Sequence, residues 1–149
     1  MRHVSLIVGT LVAAVTVPLA AGPAQAARPA VEITKIYYNS PGSDRGGNRS
    51  LNAEYITIRN NTKKKISLKG WTIRDKTGFR YTFGKVALKS GKKLTLHTGQ
   101  GRDGTRDVYW NRRWYVWNNT GDKAYLRNDA GKLIDSCAYK GTRRGYKNC

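Results

Sequence analysis

Residues 109–117, YWNRRWYVW, carry the densest chemistry in the chain: Tyr109, Trp110, Trp114, Tyr115 and Trp117 flank Arg112 and Arg113. Guanidinium groups set among indole and phenol rings offer charged hydrogen bonds to anionic oxygens and flat faces for bases or sugars. Single-stranded nucleic acid and polysaccharide are held in this way. Trp110, Arg112, Arg113 and Trp114 are therefore candidate polyanion-binding residues, while Trp117 is assigned to the core. The runs Lys63-Lys64-Lys65 and Arg143-Arg144 join them as basic candidates, although a short charge run is by itself an ordinary solvated surface.

Hydrolytic chemistry finds few residues. Beyond position 3 the one histidine is His97, expected on the outward face of a strand as a solvated imidazole. There is no Gly-x-Ser-x-Gly elbow, HExxH pair or Walker loop. Glu32 and Glu54, the two glutamates, could be offered as a glycosidase pair, but Glu54 is expected to pair with a nearby Lys or Arg. Asp103 and Asp107 in GQGRDGTRD have arginines beside them and no third spaced carboxylate, so they read as a charged turn rather than a calcium loop. No catalytic residue, metal site or cofactor is assigned.

Cys137 and Cys149 are the two cysteines, and their spacing does not fit a zinc or redox motif. Their pairing depends on compartment, which the first residues address. Met1-Arg2-His3 precedes a long uncharged, largely apolar run, and Ala24-Gln25-Ala26 supplies the small residues that a signal peptidase admits. Residues 1–26 are expected to be a signal peptide cleaved after Ala26, leaving 27–149 exported, with no further stretch able to span a membrane. In an oxidising compartment Cys137 and Cys149 are expected to form one disulfide, fastening the C-terminal tail to the strand before it.

Without Arg2, residues 27–149 hold 27 Lys and Arg against 9 Asp and Glu, a net of +18. Such a chain is drawn to nucleic acid, anionic polysaccharide or an anionic surface. The full sequence is 39% hydrophobic, and its 4 Trp, 9 Tyr and 2 Phe, all beyond residue 26, supply a core that a disordered tail lacks.

The elements that must position these groups are strands. No apolar 3.6-residue period lasts three turns, whereas β-branched and aromatic residues alternate over 31–38, 53–60, 71–75, 79–83, 92–98, 123–128 and 132–139. Gly, Asn, Asp and Ser clusters punctuate them at intervals typical of a β-sandwich. Alternation turns Ile56, Ile58, Ile66, Leu68, Trp71, Ile73, Leu94 and Leu96 inward, and Thr57, Arg59, Thr72, Arg74, Thr95 and His97 outward. Residues 41–52, PGSDRGGNRSLN, read as an exposed loop, and 27–30 as a frayed start. One all-β domain with a single two-sheet core follows.

Four separated blocks are more specific: NAEYITIRNN from Asn52, ISLKGWTIRD from Ile66, LKSGKKLTL from Leu88, and WNNTGDKAYLRNDAGKLID from Trp117. Together, over about 31–139, they resemble a lamin-tail domain. The resemblance implies an immunoglobulin-like β-sandwich serving as a binding or adaptor module, with no shared catalytic residues to carry over. Ser90 stands where the family's turn often has proline, and no coiled-coil rod precedes the domain, so filament assembly does not carry over. Gly70, Gly121 and Asp122 read as turn-making scaffold residues.

The expectation is a secreted, non-enzymatic module that binds extracellular polyanions, DNA or anionic cell-wall polymer. Two alternatives stand beside it: a protein-binding or structural cell-envelope module, and a small secreted nuclease-type hydrolase.

Overall fold

The computed structural model describes residues 27–149; the expected signal peptide and its cleavage point lie outside the described residues. In chain order the elements are β1 (Val31–Tyr37), α1 (Asn48–Ala53), β2 (Tyr55–Asn60), β3 (Ile66–Ser67), β4 (Thr72–Arg74), β5 (Arg80–Thr82), β6 (Ala87–Leu88), β7 (Lys93–His97), β8 (Asp107–Tyr109), β9 (Gly121–Arg127), β10 (Leu133–Lys140) and β11 (Tyr146–Asn148). They form a five-stranded sheet ordered β11-β1-β2-β7-β8, a four-stranded sheet ordered β10-β9-β4-β5, and a two-stranded β3-β6 ribbon.

The alternation builds this arrangement. Val31, Ile33, Ile36, Ile56, Ile58, Leu94, Leu96 and Val108 face inward from the larger sheet, and Ile73, Ala124, Leu126, Cys137 and Tyr139 face them from the smaller one. Trp71, Phe83 and Trp117 complete one buried cluster. Each such side chain contributes about 1.5–3 kcal/mol by leaving water. Of the outward residues, Thr57 points out but is covered on the central strand, its hydroxyl 3.4 Å from that of Thr95. Ile66 is only partly buried, packed against the core beside Leu68.

Polar groups also fasten one sheet to the other. The Ile33 N–H donates to Asp135 Oδ2 at 2.7 Å, and the Tyr38 and Tyr139 rings stack with centroids 4.1 Å apart. Gly121 takes φ +147°, and a Cβ there would meet the Tyr139 carbonyl at 3.0 Å, so this turn requires glycine. Asp122 accepts the Asn118 and Lys123 N–H groups as a turn residue should, and also the Lys76 N–H, tying two turns together.

Three expectations change. The 41–52 segment is not loop throughout, since α1 occupies its end and buries Leu51. A helix this short has little stability of its own. Asn48 and Asn52 Nδ2 both donate to the Gln100 carbonyl and the Gln100 N–H donates back to Asn48 Oδ1, so tertiary clamps rather than periodicity make it. Next, β3, β6, β8 and β11 are two or three residues long, too short for a readable pattern. Finally, the C-terminal residues are not a tail. β11 pairs with β1, the Cys149 N–H donates to the Thr34 carbonyl, and the Cys137–Cys149 disulfide joins the four-stranded sheet to the end of an edge strand of the five-stranded one.

Candidate polyanion interface

The 109–117 segment begins on β8, which runs parallel to β7. It continues that pairing past the strand end: Trp110, Asn111 and Arg112 N–H groups donate to the carbonyls of His97, Gly99 and Thr98. Asn111 turns the chain with φ 60°, a left-handed conformation that Asn tolerates better than most residues. The far end is held where the Val116 N–H donates to Glu54 Oε1 at 2.8 Å. The segment is thus an arm pinned at both ends across one end of the sandwich.

Its aromatic residues divide. Trp117 is 2% exposed and belongs to the core, as expected. Trp110 is half-buried, its ring lying against Trp117 and Tyr81, so packing already occupies much of it. Trp114 is 58% exposed and rests on Gly46, where a Cβ would come within 2.7 Å of its Cζ3. The Arg112 guanidinium lies 4.3 Å from the centroid of Phe79, itself 40% exposed, and its Nε is buried without a partner. Arg113 is exposed.

Arg143 and Arg144 are exposed at the same end of the larger sheet, in a turn whose Gly145 carbonyl accepts the Tyr38 and Asn39 N–H groups. Arg112, Arg113, Trp114, Arg143 and Arg144 therefore share one end. Lys63, Lys64 and Lys65 do not. They follow Asn60, which is bonded to the Lys92 carbonyl, whereas Arg112 is bonded to the Thr98 carbonyl, about 20 Å away along β7 at about 3.4 Å per residue.

Glu54 has no cationic partner, contrary to expectation. It is 0% exposed, Oε1 accepts the Thr98 hydroxyl and the Val116 N–H, and Oε2 is buried without a partner. Burial raises its pKa from 4.5 to about 7, opposed by the hydrogen bonds from Val116 and Thr98 and reinforced by the charge of Asp44. Glu32 stands opposite Arg59 on β1 while Glu54 precedes the far end of β2, so the two glutamates do not form a pair across a cleft.

His97 is likewise not a freely solvated imidazole. Its Nδ1 lies 2.7 Å from the Asn52 carbonyl and its Nε2 3.1 Å from Asp107 Oδ1, so both ring nitrogens are engaged by acceptors. Among the described residues this is also the one contact within 4.0 Å between a basic side chain and a carboxylate. Several other aspartates hold backbone, while Asp44 accepts the Asn119 side-chain amide. Asp75 accepts the Thr77 hydroxyl and the Gly78 and Phe79 N–H groups, Asp103 the Tyr109 N–H, and Asp135 the Ile33 and Ser136 N–H groups. No group of three or more His, Cys, Asp or Glu side chains able to hold a metal occurs among the described residues.

On the outer face of the larger sheet, Tyr146, Tyr37, Tyr55, His97 and Tyr109 stand side by side in direct register, one from each strand. Successive centroids are 5.8, 5.4, 5.9 and 5.1 Å apart. The outward position of Tyr55 follows from alternation with Ile56, but Tyr37 faces out only because a bulge between Ile33 and Lys35 shifts the register of β1, and Tyr109 and Tyr146 sit on strands too short to recognise.

Two facing sheets around one core, an inter-sheet disulfide and an irregular arm closing one end define an all-β, immunoglobulin-like module. The family profile described as Lamin Tail Domain matches residues 24–141, and the chain belongs to that family. The match is wider than the 31–139 carried by the four motif blocks and ends before β11 and Cys149. No curated protein matches the chain significantly. Among the described residues no helix is long and apolar enough to cross a membrane.

Proposed function

We propose that this chain is an exported, non-enzymatic lamin-tail module that binds extracellular polyanions, DNA or anionic cell-wall polymer, at the sandwich end carrying Arg112, Arg113, Trp114, Arg143 and Arg144. The observation that carries this reading is charge without countercharge. Residues 27–149 hold 27 Lys and Arg, and none of these side chains lies within 4.0 Å of a carboxylate. Glu54, Asp75, Asp103, Asp122 and Asp135 accept backbone N–H groups instead. A surface of unpaired cations is neutralised by a ligand that brings its own negative charge and releases counterions. The non-enzymatic part is supported by His97, which has no free ring nitrogen to act as a base, and by the burial of Glu54.

The test is binding of the purified exported protein to labelled duplex DNA over a range of salt concentrations. Log affinity should fall linearly with log salt, by about 0.9 per phosphate neutralised. Salt-independent binding would overturn the reading, and a partner retained from envelope extracts at high salt would favour the protein-binding module. DNA cleavage with added divalent metal would favour the hydrolase. Export itself is tested by intact mass: the secreted protein should begin at Ala27, and a mass retaining residues 1–26 rejects cleavage.

A further inference from the structure

The outer face of the five-stranded sheet carries a second surface suited to anions. Next to the aromatic row lies a shallow groove whose lining includes Lys35, Thr57, Lys93, Thr95 and His97. The row crosses every strand of the sheet, roughly 19 Å at about 4.8 Å per strand spacing. Its rings stand upright. The Tyr146–Tyr37, Tyr37–Tyr55 and His97–Tyr109 pairs are stacked at 20°, 25° and 21°, and the Gly101 backbone closes against the Tyr109 ring. Between these stacked rings the faces are already covered, so a base or a sugar cannot stack there.

What the row presents is its edges. The hydroxyls of Tyr38, Tyr115 and Tyr139, elsewhere in the molecule, each have a hydrogen-bond partner. Those of Tyr37, Tyr55, Tyr109 and Tyr146 make no hydrogen bond among the described residues and are not buried. Four free phenolic donors therefore stand along one edge of the groove. Lys35 places its Nζ 4.4 Å from the Tyr146 ring, and Arg59 and Lys93 point outward from β2 and β7 without a carboxylate partner within 4.0 Å. Asp107, the carboxylate in the groove, is engaged by His97, and Glu32 lies at the far end of β1 opposite Arg59. Lys and Arg can only donate, and a phenol can donate to an anion; the complement is a ligand that only accepts.

We infer that this face holds an extended single-stranded phosphodiester polymer by its phosphates, with the hydroxyls of Tyr37, Tyr55 and Tyr146 and the cations Lys35 and Lys93 as donors, and without stacking on its bases. The inference rests on the polyanion reading above and adds a surface distinct from the arm, together with the form of polymer it takes. A carboxylated glycan is the competing occupant.

The experiment titrates the exported protein with labelled oligo(dT), an abasic deoxyribose-phosphate oligomer of equal length, and an alginate fragment of similar charge. The proteins compared are the wild type and a Tyr37→Phe/Tyr55→Phe/Tyr146→Phe variant, which keeps the stacked rings and removes only hydroxyls. With Trp114→Ala added to remove any stacking at the arm, the protein should bind the dT and abasic oligomers within about twofold of each other. The triple variant should lose tenfold or more on both, with its melting temperature unchanged. A triple variant that binds like wild type makes the row purely structural and overturns the inference while leaving the arm intact. In that Trp114→Ala background, a tenfold preference for oligo(dT) over the abasic oligomer, or for alginate over both, overturns phosphate reading. If wild type binds neither these oligomers nor duplex DNA, the polyanion reading itself fails.

Discussion

Glu54 Oε1 accepts the Val116 N–H and the Thr98 hydroxyl, each at 2.8 Å, so a single buried carboxyl ties the start of β2 to the end of β7 and to the arm. This carboxyl makes the fold sensitive to pH. Its pKa is raised by burial from 4.5 to about 7, so the folded chain keeps a proton that the unfolded chain releases. Stability is then fully present below pH 4.5, falls as pH rises from there to about 7, and levels off above, by on the order of 3 kcal/mol. Glu54→Gln keeps the carbonyl acceptor and removes the titration. Urea midpoints at pH 5 and pH 8 should differ in wild type and coincide in the variant. Equal pH slopes in the two proteins would show that another group titrates.

The disulfide is the second structural tie. Cys137 lies in the core on β10 and Cys149 follows β11, with Cα atoms 6.0 Å apart. Closing a loop of 12 residues stabilises by about 3 kcal/mol through the unfolded state. Cys149→Ala should lose about that much while the strands other than β11 keep their pairing, since the remaining core does not depend on it. Denatured but unreduced protein should show no free thiol; two thiol equivalents would rule the bond out.

The aliphatic core was legible because Ile56, Ile58, Leu94 and Leu96 alternate with polar residues and the sheet faces follow from that period. The disulfide partners were also legible, but not what they join, because Tyr146–Asn148 is too short to declare itself a strand. Glu54 was misread: a glutamate in a polar stretch looks like a surface ion-pair member, and only the folded chain brings Thr98 and Val116 to it. The arm stood out by composition, yet composition could not separate buried Trp117 and half-buried Trp110 from exposed Trp114. Lys63–Lys65 and Arg112–Arg113 look equivalent as charge runs and lie at opposite ends of β7.

That separation of the tryptophans is measurable. Trp117→Ala should cost about 3–5 kcal/mol by opening a cavity in the core. Trp114→Ala should change stability by no more than about 0.5 kcal/mol, as an exposed side chain should. If Trp114 stacks on bases at the arm, the same variant should weaken single-stranded binding by about 1–3 kcal/mol with little change in salt slope. Chemical denaturation and anisotropy titration of the two variants decide this. A large stability loss in Trp114→Ala would make it a packing residue and remove it from the site.

Arg113 and the Lys63–Lys65 run distinguish a localised interface from diffuse attraction, because they carry the same kind of charge at opposite ends of the sandwich. If duplex DNA sits at the arm, Arg113→Ala removes one phosphate contact and reduces the salt slope by about 0.9. Replacing Lys63, Lys64 and Lys65 together by Ala then removes three charges from the far end and leaves the slope almost unchanged. Arg112→Ala should act on both stability and binding. Its guanidinium lies over Phe79, and losing an exposed cation–π contact costs about 0.5–1 kcal/mol. A slope that falls in proportion to the charge removed, whichever end it comes from, would mean that the net +18 binds as a field rather than through the arm, and the assignment of Arg112, Arg113 and Trp114 would fail.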